Sequence, residues 1–86
     1  MMLCVNLICP IMVNAEDRKI IVKFGKHLAK LRTEKGLSQR ELSHRCRIDY
    51  SKIGAMERGE VNLTLVSMVE LARGLEISPS LLLNWD

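Results

Sequence analysis

The spacing of apolar residues along this 86-residue chain predicts a series of short amphipathic helices. In the first of them, apolar side chains recur at intervals of four, four and three positions: Ile20, Phe24, Leu28 and Leu31. Arginine and lysine fill the positions between, which is the pattern of a helix with one buried face. We place this helix at 17–35 and expect Gly36 to end it, because glycine adopts the left-handed conformation of helix C-termini without steric cost.

Two capping signals divide the next stretch into two short helices. Ser38 and Glu41 have the spacing of a capping box, in which each side chain accepts from the other residue's backbone N–H, so a helix is predicted over 39–46. Asp49 is a favourable N-cap for another helix over 50–58. The link between the two is about three residues long, so they must cross at a large angle.

Two further helices are predicted towards the end of the chain. Thr64 caps the fourth, over 65–75, and Ser78 with Pro79 opens a fifth, over 79–84, because proline fits the first helical position. The fourth helix is predicted to bury one apolar face: Leu65, Met68, Val69, Leu71, Ala72 and Leu75. With so few aromatic residues, the pattern favours an all-α bundle over a β-sandwich or barrel.

The first thirteen residues are apolar and need a separate interpretation. They have no positive charges, are interrupted by Asn6 and Pro10, and are far shorter than the ~20 residues that span a bilayer. We therefore predict one domain over 17–86 and a poorly ordered extension over 1–16, with Met12 as the original start. The alternative is an arm that packs on a partner subunit.

The net charge of +3 hides an uneven distribution of charge. Between residues 18 and 58 there are twelve lysines and arginines against four acidic residues, whereas the rest of the chain has one against six. A basic half of this kind is expected where one face of a protein meets a polyanion.

Other classes of function find little support in the sequence. It has no glycine-rich phosphate loop, no paired carboxylates in an apolar setting and no catalytic triad, so we expect no enzyme activity, cofactor or small-molecule ligand. His27 and His44 are expected to be exposed, without metal-ligand partners. Three cysteines without a CxxC motif indicate neither a zinc site nor a disulfide framework, and so favour a reducing cytoplasm, with Cys46 a small core residue.

One set of residues resembles a known family in order and spacing: Ser38-Gln39-x-Glu41-Leu42, Ile48, Ile53, Glu57-Arg58-Gly59, Asn62, Thr64-Leu65 and Leu71-Ala72. It resembles the Cro/phage-repressor (XRE-type) helix-turn-helix family, and most of all its short members such as restriction-modification controller proteins. The resemblance covers about residues 24–85. It implies a five-helix lambda-repressor-like domain in which helices 2 and 3 form the helix-turn-helix and helix 3 enters the DNA major groove.

The same resemblance implies roles for individual residues. Contacts to base edges are expected from four residues: Tyr50, Ser51, Lys52 and Ala55. Gln39 and Arg58 would contact the DNA backbone, and the basic outer surface adds Arg40 and Arg47 to that set. Arg32 and Glu57 match a partly buried salt bridge that braces the first helix against the third.

The chain also departs from the family pattern. Arg47 and Glu76 stand where glycine is common, and a left-handed conformation there would cost roughly 1 kcal/mol. Gly54 should weaken the third helix but would allow a close approach to DNA. Neither Gly54 nor Ala55 can make bidentate hydrogen bonds to a base, so DNA shape and phosphate contacts should contribute much of the specificity.

The expected function is a sequence-specific regulator of transcription that binds double-stranded DNA as a homodimer. Leu82, Leu83 and Trp85 are predicted to form the two-fold contact, which would place two recognition helices ~34 Å apart on a palindromic operator. Alternatively these residues fold back on the monomer core. Two other functions stay open: an antitoxin or adaptor whose main partner is a protein, and an interaction module that has lost DNA binding.

Overall fold

The computed structural model describes residues 14–85, and these fold into helices only. The elements are α1 (Ala15–Glu34), α2 (Gln39–Arg45), α3 (Tyr50–Glu57), α4 (Leu65–Leu75) and a 3-10 helix (Pro79–Leu83). The all-helical prediction is confirmed for this part of the chain, but the fifth predicted helix is a short 3-10 segment and not an α-helix. The interpretation of the first thirteen residues falls outside the described range. No helix within that range is long and apolar enough to cross a membrane.

Side-chain caps account for where most of the helices begin. The capping box predicted for α2 is present: Ser38 Oγ accepts from the Glu41 backbone N–H at 3.0 Å, and the Glu41 carboxylate accepts from the Ser38 N–H at 2.8 Å. Thr64 caps α4 by accepting from the Ser67 N–H at 3.1 Å. Asp49 is the N-cap residue of α3 as predicted, but its side chain accepts from the Ser51 hydroxyl at 2.9 Å and from no backbone N–H of the helix.

One apolar core holds the helices together. It is formed by Phe24, Leu28, Leu42, Ile48, Ile53, Met56, Leu71, Ala72, Leu75 and Leu82. All five helical elements contribute to it, and burying a side chain of this size contributes about 1.5–3 kcal/mol. Leu82 has no exposed surface at all. Its predicted place in a subunit interface is therefore wrong, since the 3-10 helix turns this side chain into the core of its own chain.

The packing of α1 against α3 brings backbone against backbone. A Cβ atom at Gly25 would lie 2.5 Å from the carbonyl oxygen of Met56 and 2.6 Å from that of Glu57. Both distances are shorter than any side-chain carbon tolerates, so the two helices can approach this closely only with glycine at position 25. This contact fixes where the C-terminal end of α3 lies on α1.

The outer surface of α4 differs from the prediction. Leu71, Ala72 and Leu75 are buried as expected, but Leu65 is 75% exposed and Val69 is 37% exposed. Val66 is exposed as well, at 71%. The helix carries apolar residues on more of its circumference than one core can cover, and the sequence pattern alone does not show which of them face inward.

The C-terminal end of the described chain packs against α1. Trp85 is half-buried and meets Phe24 edge to face, with 6.5 Å between the ring centroids. His27, predicted to be a solvated histidine, is instead half-buried, with its Nε2 2.7 Å from the Leu81 carbonyl oxygen. These contacts seat the 3-10 helix on α1.

The two positions where the family often has glycine behave differently. Glu76 ends α4 with φ 58° and ψ 45°, the left-handed conformation. Arg47 does not: Glu76 is the only non-glycine residue of the described chain with a positive φ, so the strain predicted at Arg47 is wrong. The turn after α2 is made instead by Cys46, which is extended with φ −136° and ψ 177°.

Candidate nucleic-acid interface

Helices α2 and α3 form a helix-turn-helix whose inner faces are buried and whose outer face is open. Leu42 on α2 and Ile53 on α3 are fully buried, and Ile48 in the turn is buried beside them. Because the inner side of α3 is held in this way, its opposite side must face solvent. Tyr50, Ser51 and Lys52 are exposed there, while Ala55 is half-buried.

Tyr50, the first residue of α3, is stacked against α2. The guanidinium carbon of Arg40 lies 4.1 Å from the centroid of the Tyr50 ring, which is the geometry of a cation–π contact. The stack joins a residue predicted to contact a base with one predicted to contact the backbone. It also restricts the phenol ring while Tyr50 keeps 42% of its surface exposed.

An open polar cleft runs along the outer side of α2 and the turn. Its volume is about 440 Å³, and its lining includes Arg40, Ser43, His44, Arg47, Asp49 and Tyr50. Two guanidinium groups face one carboxylate there, so the lining carries a net positive charge. One carboxylate oxygen of Asp49 already accepts a hydrogen bond from the Ser51 hydroxyl. A phosphate group fits this combination of charge and hydrogen-bond donors.

A hydrogen-bonded network behind the interface connects α1, α2 and α3. Arg32 donates to Glu57 through Nε at 2.7 Å and through Nη2 at 3.1 Å, and through Nη1 to the Leu37 carbonyl at 2.7 Å. Gln39 donates to the same Glu57 carboxylate at 2.9 Å. The Glu57 side chain is only 6% exposed. Removing one partner from such a pair leaves a poorly solvated charge, so a single substitution at Arg32 or Glu57 should destabilise the frame.

Gln39 therefore has two roles to reconcile. One N–H of its side-chain amide donates to Glu57, and the amide has a second N–H. A phosphate contact made by the side chain of Gln39 would therefore use the second N–H of the amide. Sequence reasoning did not anticipate the bond to Glu57.

Arg58 lies beside Gln39 at the end of α3, and Gly54 provides the space for both. A Cβ atom at Gly54 would lie 3.1 Å from Arg58 Nη1 and 3.4 Å from Gln39 Oε1. Gly54 is buried, so the space that its missing side chain leaves is occupied by these two side chains and not by an approaching DNA. The sequence predicted the importance of Gly54 but not this reason for it.

Arg58 itself is paired with a residue that sequence reasoning missed. Its Nε lies 2.8 Å from Oε2 of Glu60, and its Nη2 lies 3.2 Å from Oε1 of the same carboxylate. These hydrogen bonds raise the pKa of Arg58 and lower the pKa of Glu60. The available signal was an opposite charge two residues away, which alone is too common to single out a pair.

The similarity of this chain to known proteins extends over the helix-turn-helix and the helices that support it. Residues 28–82 match the profile of the helix-turn-helix family. A relative described as an uncharacterized HTH-type transcriptional regulator, y4dJ, from Sinorhizobium fredii is 38% identical over 61 residues, which are 71% of this chain and 75% of that one.

Two solved structures show the same fold. The restriction-modification controller protein C.AhdI from Aeromonas hydrophila superposes with a TM-score of 0.70 at 47% identity, over 72% of this chain and 94% of that one. The controller protein C.Esp1396I, solved as a tetramer with its natural 35-base-pair operator, gives 0.69 at 32% identity, over 73% and 83% of the two chains. The chain belongs to the XRE-type helix-turn-helix family.

Proposed function

We propose that this chain is a sequence-specific DNA-binding regulator of transcription, of the repressor or controller type. The observation that supports this most directly is the outer face of α3, which is open to solvent and adjoins a basic cleft while its inner face is locked into the core. A short exposed helix on a fixed frame is what insertion into a major groove requires.

In this proposal the residues of the interface divide into two groups. The first contacts base edges from α3: Tyr50, Ser51, Lys52 and Ala55. The second contacts the DNA backbone: Gln39, Arg40, Arg47 and Arg58. Arg32 and Glu57 are not assigned to a DNA contact, and their ion pair fixes the position of α3 relative to α1.

The active form in this proposal is a homodimer. We define the apolar patch as Leu65, Val66, Val69, Leu81 and Leu83, all exposed, on two elements that pack against each other. A two-fold contact through this patch would bury apolar surface that the monomer leaves in water. Leu83 and Trp85 keep the roles expected for them at or beside the contact, and α4 takes the place of Leu82. Two copies of α3 would then read a palindromic operator.

The wider assignment follows from the same features. We place the fold in the lambda-repressor-like group, with the 3-10 helix in the position of the fifth helix, and the protein in the cytoplasm, where it would meet DNA. The relatives reported above are described as a regulator and as controller proteins. They give no support to the antitoxin alternative. The proposed role is binding, without catalysis.

Selection of bound duplexes from a random pool, followed by mobility-shift titration, tests this function. We expect a two-fold symmetric consensus and binding that weakens as salt rises. Replacing Tyr50 with alanine should reduce discrimination between the consensus and a variant of it by about 1–3 kcal/mol, because a contact to a base edge is lost.

Lys30→Ala is the matched control for Tyr50→Ala. Lys30 is exposed on α1, so its loss should change discrimination little. If wild-type protein shows no salt-sensitive binding to any duplex at low salt, the proposed function is wrong. If Tyr50→Ala binds every duplex with unchanged selectivity, the role of Tyr50 is wrong while DNA binding stands.

A further inference from the structure

We propose that Glu60 is a positioning residue that occupies the place of a DNA phosphate in the free protein. Glu60 holds the Arg58 guanidinium until DNA displaces it, and so sets the affinity and the salt dependence of DNA binding. This inference rests on the proposed function, because it assigns Arg58 to a phosphate contact.

The geometry of the pair is that of a guanidinium bound to a two-oxygen anion. Arg58 presents Nε and Nη2 to the two carboxylate oxygens of Glu60, at 2.8 Å and 3.2 Å. A phosphate group accepts from the same two nitrogens in the same side-on manner. Glu60 and a phosphate therefore cannot both hold this edge of Arg58, and one must replace the other.

The position of the pair places this exchange at the interface. Arg58 adjoins Gln39 across the gap at Gly54, so two of the four predicted backbone contacts are neighbours in space although they are far apart in the sequence. The side chains of Arg58 and Glu60 remain 60% and 53% exposed, which leaves an incoming phosphate free to reach them. Gln39, in contrast, donates to the Glu57 carboxylate, whose side chain is only 6% exposed.

The ion pair of Arg58 and Glu60 is easily broken, as replacement of Glu60 by a phosphate requires. Ion pairs between exposed side chains contribute little to folding stability, because water competes for both partners. Glu60 can therefore be replaced without unfolding the protein. The buried pair of Arg32 and Glu57 behaves differently, because it is part of the frame.

The exchange has a consequence for salt dependence. Each basic residue that neutralises a phosphate releases a condensed counterion from DNA, which steepens the dependence of affinity on salt. In the wild-type protein the charge of Arg58 is already balanced by Glu60, and breaking that pair exposes a carboxylate beside the DNA. Without Glu60, the free Arg58 should add its full contribution to the slope.

The test compares four proteins on one random-sequence duplex: wild type, Glu60→Gln, Arg58→Ala and the double variant. Glutamine keeps the size of Glu60 and removes its charge. We expect Glu60→Gln to bind about two- to fivefold more tightly than wild type, as expected for release of an exposed ion pair. The plot of log affinity against log salt should steepen by about one unit.

The double variant separates exchange from simple repulsion between Glu60 and DNA. If Glu60 acts through Arg58, Glu60→Gln must gain less in the Arg58→Ala background than in wild type. An equal or larger gain in that background would show that Glu60 only repels phosphates, and would overturn the inference.

Two further measurements, the unfolding midpoint of each protein and the salt-sensitive binding of wild type, distinguish the possible outcomes. Unfolding midpoints in urea should be unchanged across the four proteins, because both side chains are exposed. Absence of any salt-sensitive binding by wild type would overturn the proposed function and this inference together. Binding by wild type with no gain from Glu60→Gln would overturn the inference alone.

Discussion

Glu76 is the one non-glycine residue within 14–85 that has a positive φ. It ends α4 in the left-handed conformation, and its backbone N–H bonds back to the carbonyls of Ala72 and Arg73. The chain must turn there to bring the 3-10 helix onto α1. A side chain in this conformation brings its Cβ too close to a backbone oxygen, which costs about 1–2 kcal/mol.

Glycine at position 76 should therefore stabilise the protein. We expect Glu76→Gly to raise the free energy of unfolding by about 0.5 kcal/mol, since relief of the steric cost exceeds the extra entropy that glycine gives the unfolded chain. Urea denaturation measures the change. Glu76→Ala is the control, because alanine keeps the Cβ atom and should gain nothing from this source. An equal gain in both variants would refute strain as the cause.

Single residues also show where sequence reasoning fails. The same family pattern placed glycine at Arg47 and at Glu76, yet only Glu76 needs a positive φ. The difference arises because the turn after α2 uses the extended backbone of Cys46, which no rule of residue preference predicts. Glu60 was missed for a similar reason, since its importance depends on where the Arg58 side chain points.

At the scale of the element, the capping box of α2 should contribute measurably to stability. Replacing Ser38 with alanine leaves the Glu41 backbone N–H without its acceptor, and we expect a loss of about 1 kcal/mol. Thr33→Ala is the matched control, because its hydroxyl donates within α1 and caps no helix start. Urea unfolding of both variants tests the assignment, which fails if the two lose equal stability.

The capping box also predicts a dependence on pH. The hydrogen bond that the Glu41 carboxylate accepts from the Ser38 backbone N–H, together with the nearby Ser38 hydroxyl, lowers the pKa of Glu41 below its ordinary value of 4.5. A lowered pKa in the folded state means that this contribution is complete above pH 4.5 and is lost as the pH falls through the lower folded value.

Urea unfolding of wild type and Glu41→Gln at several pH values measures this effect. The difference in free energy of unfolding between wild type and Glu41→Gln should be constant from pH 7 down to about pH 5 and should shrink towards pH 3. A difference that stays constant down to pH 3 would contradict the role given to the Glu41 carboxylate.

The helices themselves were largely predictable from sequence. The bounds of α4 were predicted without error, because Thr64 caps one end and the apolar period stops at the other. The type of the fifth element was not predicted, because serine followed by proline is typical of the start of an α-helix and of a 3-10 helix alike. Only packing decides that the chain continues as a 3-10 helix, which turns Leu82 into the core.

At the scale of the whole molecule, the apolar patch should control assembly. A charge introduced at Val66, which is 71% exposed in the monomer, would be buried in the proposed contact at a large cost in desolvation. We expect Val66→Glu to convert the dimer to a monomer in sedimentation velocity at tens of micromolar and to weaken operator binding.

Thr33→Glu is the matched control for Val66→Glu. It adds the same charge at an exposed position near the end of α1, away from the patch, and should leave the dimer intact. If Val66→Glu sediments like wild type, the patch is not the contact. If wild type is itself monomeric at that concentration, the homodimer is wrong.

Assembly was the level that sequence predicted least. The apolar pattern of α4 predicted that Leu65 and Val69 are buried in the core of their own chain, but both are exposed there, and their burial by a second copy is part of the proposed dimer. A residue destined for a second subunit and one destined for its own core have the same chemistry. Only the arrangement of neighbouring helices distinguishes them.

The backbone contact at Gly25 has a consequence for how such a protein can acquire a new target. It fixes the end of α3 through main-chain atoms, and the Arg32–Glu57 pair fixes it through side chains that do not face outward. The exposed residues Tyr50, Ser51 and Lys52 add little to that support. Their identities are therefore free to diverge without loss of folding, and under the proposed base contacts a gene copy would be retargeted by a few substitutions on one helical face.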